Sequence, residues 1–530
     1  MNRSLPAADR WAGTLRAALL ALLPLAVAAL LTSLAASLDA APFDDVVLLP
    51  PDGISPARLL LALGVLVAGW FGVYFAPGLL VMRAARLRLG NPVSNAIAAF
   101  VLSLFALSLA WIAAQAATEG LAGRTCLYLV TGCLDAAALG IAVFRAPGAP
   151  ALPPLPGDAR SRVRVELVVP VAGIVLLLIA GSVLMPGKIA VEALEGDATE
   201  VRGFAASLWE RALPYWDLES GAWGFYPTFV FVSYPVFFSL ALLGDTEAAV
   251  RLPALLFLGV LLLATADLAA RGRTRAAAGS LRVLLPMLAA GYLSMQVGAY
   301  YAGYHPFHGD LGCSPLEEWI VTGLAMCAVV LARDGAPLLA AVAAFLSLLT
   351  FPSGLMLVGL LGIAGFVTAT SAAERRVVLR WGIGLGALVA AWAVFLIAWA
   401  SAQGTFGPMI AEWWAKYFEG RAGIASESPA RMLRALGWFT LLAGGLPIVG
   451  FALAAVRGDR VARWLALAGG LWVAFFVLSP QKNIHYFFPA ALLPVATALR
   501  TTAGRGGRAS RLFAAALGVS ALACVVLCRP

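Results

Sequence analysis

The sequence predicts an all-α, polytopic transmembrane helix bundle, and three observations carry that reading. Of its 530 residues, 62% are hydrophobic and only 12% charged, with a mean hydropathy of +0.90, which excludes an ordinary soluble domain. The apolar runs are about 20 residues long, the length that crosses the hydrocarbon layer as a helix, whereas barrel strands would be half as long and would alternate. The basic residues gather in short segments between those runs. Because hydrocarbon offers no partner to backbone N–H and C=O groups, spanning segments of this length must be helices.

The leading part of the chain holds four runs, near 14–38, 57–82, 92–116 and 123–144. The first follows Arg3 and Arg10 and exceeds the apolar core of a signal peptide, so it is read as a retained helix. Residues 146–165 are rich in proline and glycine and cannot continue a helix. They separate a four-helix leader (1–145) from a second module (166–500), which a basic loop and a final helix (501–530) follow. That module has apolar runs near 166–185, 226–243, 250–270, 283–302, 316–333, 336–351, 353–371, 381–401, 435–456, 462–479 and 484–499, and a last run lies near 511–528.

The positive-inside rule then fixes orientation. The basic segments are Arg83–Arg88, Arg145–Arg164, Arg271–Arg282, Glu374–Arg380, Arg457–Arg463 and Arg500–Arg511. All face the cytoplasm only if one run does not cross. The run 226–243, with two prolines and a belt of aromatics, suits an interfacial or re-entrant piece. Removing it leaves about 15 crossings in an inner-membrane protein, with the N-terminus cytoplasmic. The net charge of +9 is thus a topology signal rather than a nucleic-acid one. Of six cysteines only Cys313 lies in a loop, so no disulfide framework or thiolate metal site is implied.

This topology puts residues 186–249, 303–315, 402–434 and the short stretch 479–484 outside, and the chemistry is sought there. In the first loop Asp197 precedes Val201, Phe204, Ala205 and Leu208, an apolar stripe at helical spacing expected to lie on the membrane. Asp197 and Glu200 also fit a capping-box-like pair, with Asp197 as N-cap, so capping and catalysis both remain open for Asp197. The second loop carries Tyr304, His305, His308 and Asp310 ahead of Glu317 and Glu318, which open the next helix. Imidazole and carboxylate suit a divalent cation, but no HxxxH or HExxH spacing is present. Glu317 and Glu318 also suit the positive end of a helix dipole. At the last outer entrance, Lys482 and His485 can hold a phosphate, while a snorkelling lysine is the plain alternative. The run Glu412-Trp413-Trp414-Ala415-Lys416-Tyr417-Phe418 reads as another interfacial helix.

Taken in order, these pieces resemble the polytopic GT-C class of glycosyltransferases, in the branch that contains protein mannosyltransferases and lipid A aminoarabinose transferases. The likeness covers roughly residues 166–500 and rests on Gly196-Asp197-Ala198, on Tyr226-Pro227, and most specifically on Gly244-Asp245-Thr246-Glu247-Ala248-Ala249-Val250-Arg251-Leu252-Pro253. A late pattern of Lys482, Tyr486, Pro489 and Pro494 is also similar, with approximate spacing. Ala198 stands where many members have a second acid, and the Arg-x-x-x-Pro-Asp arrangement is missing from the second outer loop.

The resemblance implies transfer of a sugar from a polyprenyl-phosphate donor to a lipid, glycan or protein acceptor at the outer face, with inversion. Asp197 would be the base, and Asp310, Glu317 or Glu318 a second carboxylate. Lys482 and His485, with Arg251 as a lesser candidate, would hold the donor phosphate, and Tyr304, His305 and His308 would belong to the substrate loop. Membrane lipids are the expected surroundings, and nucleic acid is not an expected partner. No cofactor is firmly implied, although a divalent cation fits the second loop. A lipid or solute transporter and a non-catalytic assembly protein are the other classes the sequence allows.

Overall fold

The computed structural model describes residues 7–48, 55–90, 92–118, 123–144, 197–209, 213, 231–269, 316–402, 404–417, 428–478 and 492–503, with isolated positions 515 and 519. Every regular element among them is helical, apart from a 3-10 turn at Phe43–Asp45. The α-helices are α1 Ala7–Asp39, α2 Pro56–Tyr74, α3 Ala76–Ala84, α4 Pro92–Thr118, α5 Gly123–Phe144, α6 Asp197–Ser207, α7 Ser233–Leu243, α8 Glu247–Ala269 and α9 Leu316–Arg333. They continue with α10 Pro337–Thr350, α11 Pro352–Val367, α12 Ala372–Ala402, α13 Phe406–Tyr417, α14 Pro429–Leu442, α15 Leu446–Arg457, α16 Arg460–Leu478 and α17 Leu492–Ala503. The chain is an all-α polytopic membrane protein: among the described residues seven segments are long and apolar enough to cross a membrane, or eight if one bent pair is a single span. The runs expected at 166–185 and 283–302, residues 484–491 of the run 484–499, and all of 511–528 except positions 515 and 519 lie outside the described residues.

Local sequence explains where these helices start. Ser55 accepts from the Arg58 N–H at 3.2 Å with Pro56 behind it, and Ser428 accepts from the Arg431 N–H at 3.2 Å with Pro429 behind it. Each serine satisfies an orphan donor, and each proline occupies a first-turn position where no N–H is needed. Glu374 Oε2 accepts from the Ser371 N–H at 3.1 Å while Ser371 Oγ accepts from the Glu374 N–H at 3.2 Å, a reciprocal capping box that opens α12. Proline at the first turns of α10, α11 and α15 punctuates the remaining apolar stretch.

The run 435–456, read from the sequence as one crossing, is broken. α14 and α15 meet at 87°, and the turn between them places Gly444 and Gly445 at φ 65° and 74°. Only glycine adopts that left-handed region without strain, and Pro447 then restarts the helix.

The chain divides into two compact units. The first contains α1 to α7 and the beginning of α8 as far as Pro253; the second contains α8 from Ala254 onward and α9 to α17. The segment that starts at Asp197 therefore folds with the four-helix leader.

In the first unit α1 packs on α2, and α3 packs on α4 and α5. α3 and α4 approach so closely that a Cβ on Gly78 would stand 1.8 Å from the Ala99 carbonyl oxygen, while the Gly78 N–H donates to Ser103 Oγ at 2.7 Å. α7 is the centre of this unit. Its eleven residues span about 16 Å, too short to cross, and every one is buried. Within the run 226–243, complete enclosure of α7 by protein excludes a helix lying on a membrane surface; residues 226–230 lie outside the described residues.

In the second unit the ends of several helices meet at one level. Arg333 pairs with Asp267 at 2.6 Å and with Asp334 at 2.7 Å, and Arg500 pairs with Asp459 at 2.8 Å. Arg333 and Arg500 also donate to the Asp267 and Leu268 carbonyls, at 3.3 and 2.7 Å, and so satisfy the C-terminal carbonyls of α8. Arg460 pairs with Glu374 at 3.1 Å beside them. The ends of α8, α9, α15 and α17 and the starts of α12 and α16 thus share one side, which is the alternation that the basic segments predict. α13 keeps Phe406, Ile410 and Trp414, spaced one helical turn apart, 37%, 44% and 53% exposed, as an interfacial helix requires.

Candidate functional site

In the first unit, α6 carries the predicted acid. Asp197 opens α6, and Asp197 and Glu200 stand in its first turn, where the helix dipole favours carboxylates. The side chains of 197–200 lie outside the described residues. The apolar stripe is as expected in spacing but not in partner: Val201, Ala205 and Leu208 are 3%, 0% and 0% exposed, so protein rather than lipid covers them.

Three anchors fix α6. Arg202 Nε donates to Asp245 Oδ1 at 2.9 Å, and its Nη1 lies 3.7 Å from Glu247. The bond to Asp245 outweighs burial and holds the guanidinium above its ordinary value. At the other end Trp111 Nε1 donates to the Leu208 carbonyl at 3.2 Å, and Gln115 Nε2 donates to Leu208 and Trp209 carbonyls at 3.2 and 3.3 Å. Phe237 of α7 touches both indoles, 4.6 Å from the Trp111 ring and 5.3 Å from that of Trp209.

The loop after α7 is held from the leader as well. Arg124, 1% exposed, donates to the carbonyls of Ala241 at 2.8 Å, Phe43 at 2.6 Å and Val46 at 2.9 Å. Leu48 N–H donates to the Leu243 carbonyl at 2.9 Å. Gly244 turns the chain at φ 93°, where a Cβ would come within 3.0 Å of the Val46 oxygen, and Asp245 and Glu247 follow. Arg251, in the second turn of α8, is 2% exposed and engaged with neighbours, so its charge is turned into the protein.

The other predicted site residues are divided by description. Glu317 and Glu318 occupy the first turn of α9, with side chains outside the described residues. Tyr304, His305, His308, Asp310, Lys482 and His485 lie outside them altogether. Among the described residues no cluster of three or more His, Cys, Asp or Glu side chains is placed to hold a metal ion.

The second unit contains a cavity of about 320 Å³ at the α14–α15 elbow. Leu436, Phe439, Pro447, Phe451, Trp472 and Pro494 contribute to its wall, which is almost wholly apolar. Gly469 and Gly470 leave the room on α16: a Cβ on either would meet only van der Waals contacts at 3.5 Å or beyond. Trp472 is 2% exposed and its indole N–H has no partner among the described residues. A hydrocarbon chain matches that apolar lining.

Sequence reasoning missed Asp135. It lies in the middle of α5, is 1% exposed, and neither carboxyl oxygen has a hydrogen-bond partner among the described residues. Its signal was plain: it is the one acidic residue within the run 123–144.

No protein family matches the chain, and no curated protein matches it. Among solved structures the chain is similar to the crystal structure of ArnT from Cupriavidus metallidurans bound to undecaprenyl phosphate, with 17% sequence identity and a TM-score of 0.47. The match covers 69% of this chain and 64% of that one. This chain therefore spans less than two thirds of that protein's length.

Proposed function

We propose that the protein is an inner-membrane glycosyltransferase of GT-C type, which moves a sugar from a polyprenyl-phosphate donor to an envelope acceptor. The observation that carries this reading is the ion pair from Arg202 to Asp245 and Glu247. It joins two stretches, the Asp197 helix and the Gly244–Pro253 string, on which the sequence resemblance independently rests.

In this reading Asp197 takes the proton of an acceptor hydroxyl as its oxygen bonds to the sugar C1. The bond from C1 to the lipid phosphate breaks, the phosphate leaves with the electron pair, and direct displacement inverts the anomeric centre. Lys482 and His485 neutralise the departing phosphate. The second outer loop, with Tyr304, His305 and His308, orients a substrate, and Asp310, Glu317 or Glu318 supplies a second carboxylate or a ligand for a divalent cation. The elbow cavity suits part of the donor's hydrocarbon chain.

The deciding experiment incubates purified protein in nanodiscs with radiolabelled polyprenyl-phosphate sugars and an envelope extract. A labelled acceptor that requires Asp197 supports the reading; label that remains on the donor under all conditions rejects it.

Asp135 favours a second reading, a proton-linked transporter of lipids or solutes, since its buried carboxylate has no hydrogen-bond partner among the described residues and intramembrane carboxylates are common relay elements. Proteoliposomes with an imposed pH gradient test it: Asp135→Asn abolishes uptake of a labelled lipid in that case and has no effect on transfer chemistry in the first.

A further inference from the structure

α6 ends at Ser207, and its last turn closes locally: the Ser207 hydroxyl donates to the Phe204 carbonyl, and the Leu208 and Trp209 N–H groups donate to those of Ala205 and Ala206. The two residues that follow the helix are held differently. The carbonyls of Leu208 and Trp209 accept from α4, 93 to 97 residues earlier in the chain. Trp111 and Gln115 stand one helical turn apart and therefore point to the same side of α4. Both are buried, at 0% and 3% exposed, so water does not compete for the carbonyls they hold.

Their own positions are fixed in turn. The Trp111 ring packs at 4.6 Å on Phe237 of the enclosed helix α7. Asp197 lies ten residues from Ser207, about 15 Å along a rigid rod. Whatever fixes the far end of that rod fixes where its first turn sits.

We propose that Trp111 and Gln115 are positioning residues for Asp197, and that the four-helix leader serves to aim the Asp197 helix. The proposal rests on the assignment of Asp197 as the base. It gives a role in the reaction to helices that lie outside the part of the chain resembling the transferase class. The leader supplies the frame, α7 transmits its position through Phe237, and the Arg202 bridge sets rotation about the helix axis.

The test uses the full chain in nanodiscs with the double variant Trp111→Phe, Gln115→Leu, which keeps the ring against Phe237 and removes both donors. Amide hydrogen exchange across 197–207 is expected to accelerate about tenfold or more, with 92–118 and 123–144 unchanged. Unaltered protection of 197–207 overturns the proposal. In the transfer assay kcat is expected to fall at unchanged donor KM, a split that a purely structural cap would not produce.

Asp197→Asn is measured in parallel. If it turns over at the wild-type rate, the assignment of the base fails while the exchange result still decides the anchoring. If it is inactive and the double variant keeps full kcat, the positioning role fails. Should the double variant not fold, Gln115→Leu alone gives the same readouts at smaller amplitude.

Discussion

Trp464 donates its indole N–H to the carbonyl oxygen of Leu361 at 2.8 Å, joining helices 103 residues apart. One turn further on, a Cβ on Gly365 would stand 2.8 Å from the same ring. The ring is fully buried and also carries the Arg460 guanidinium 5.5 Å from its centroid. It has nowhere to move. Gly365→Ala is expected to cost about 1–3 kcal/mol through overpacking, although alanine is the better helix former. Thermal unfolding in detergent, with exposed Gly382→Ala as the control, measures it.

Arg124 gives a second test. One guanidinium serves three carbonyls from two segments, two of the bonds buried and one part-buried, a fork geometry that an ammonium cannot reproduce. Arg124→Lys keeps the charge yet is expected to strand at least one acceptor, at about 1–3 kcal/mol each. Unfolding temperature and limited proteolysis near residues 43–48 report the loss. An unchanged midpoint refutes the account.

Asp197→Asn separates catalysis from capping. Loss of a general base lowers the rate by about 100- to 10,000-fold with folding intact. Loss of a helix-terminal carboxylate alone costs about 1 kcal/mol and leaves turnover per folded molecule unchanged. Specific activity of the folded fraction distinguishes the two.

Lys482→Ala combined with His485→Ala is expected to weaken affinity for the polyprenyl-phosphate donor and to spare the acceptor. A lysine that only snorkels predicts no change in either. Donor dissociation constants in nanodiscs check it, and unchanged values would move the phosphate contact to the His305–Asp310 loop.

What was legible in the sequence was local or periodic. The fold class followed from the apolar runs, and the common level of the basic helix ends from the positive-inside rule. The break between α14 and α15 was hidden because hydropathy averages across Gly444-Gly445-Leu446-Pro447, and only the dihedral demand of the turn reveals it. Arg124, Trp111 and Gln115 were invisible for another reason. Each acts on a carbonyl about 80 to 120 residues away, and a carbonyl carries no signature of its residue type. Asp135 was visible as an acid in an apolar run, but its isolation depends on which helices surround it.

The enclosure of α7 also sets an order of assembly. A mostly apolar helix of eleven residues is too short to hold a place across the bilayer during synthesis, and its groove is built from α2, α5 and α6, all of which precede it in the sequence. It must wait in the translocation machinery or at the interface until α1 to α5 have associated, and then be threaded into them. Maturation of this protein is therefore sensitive to how long the leader takes to assemble, and a chain that emerges before the leader has closed exposes a helix that the folded protein buries at every residue.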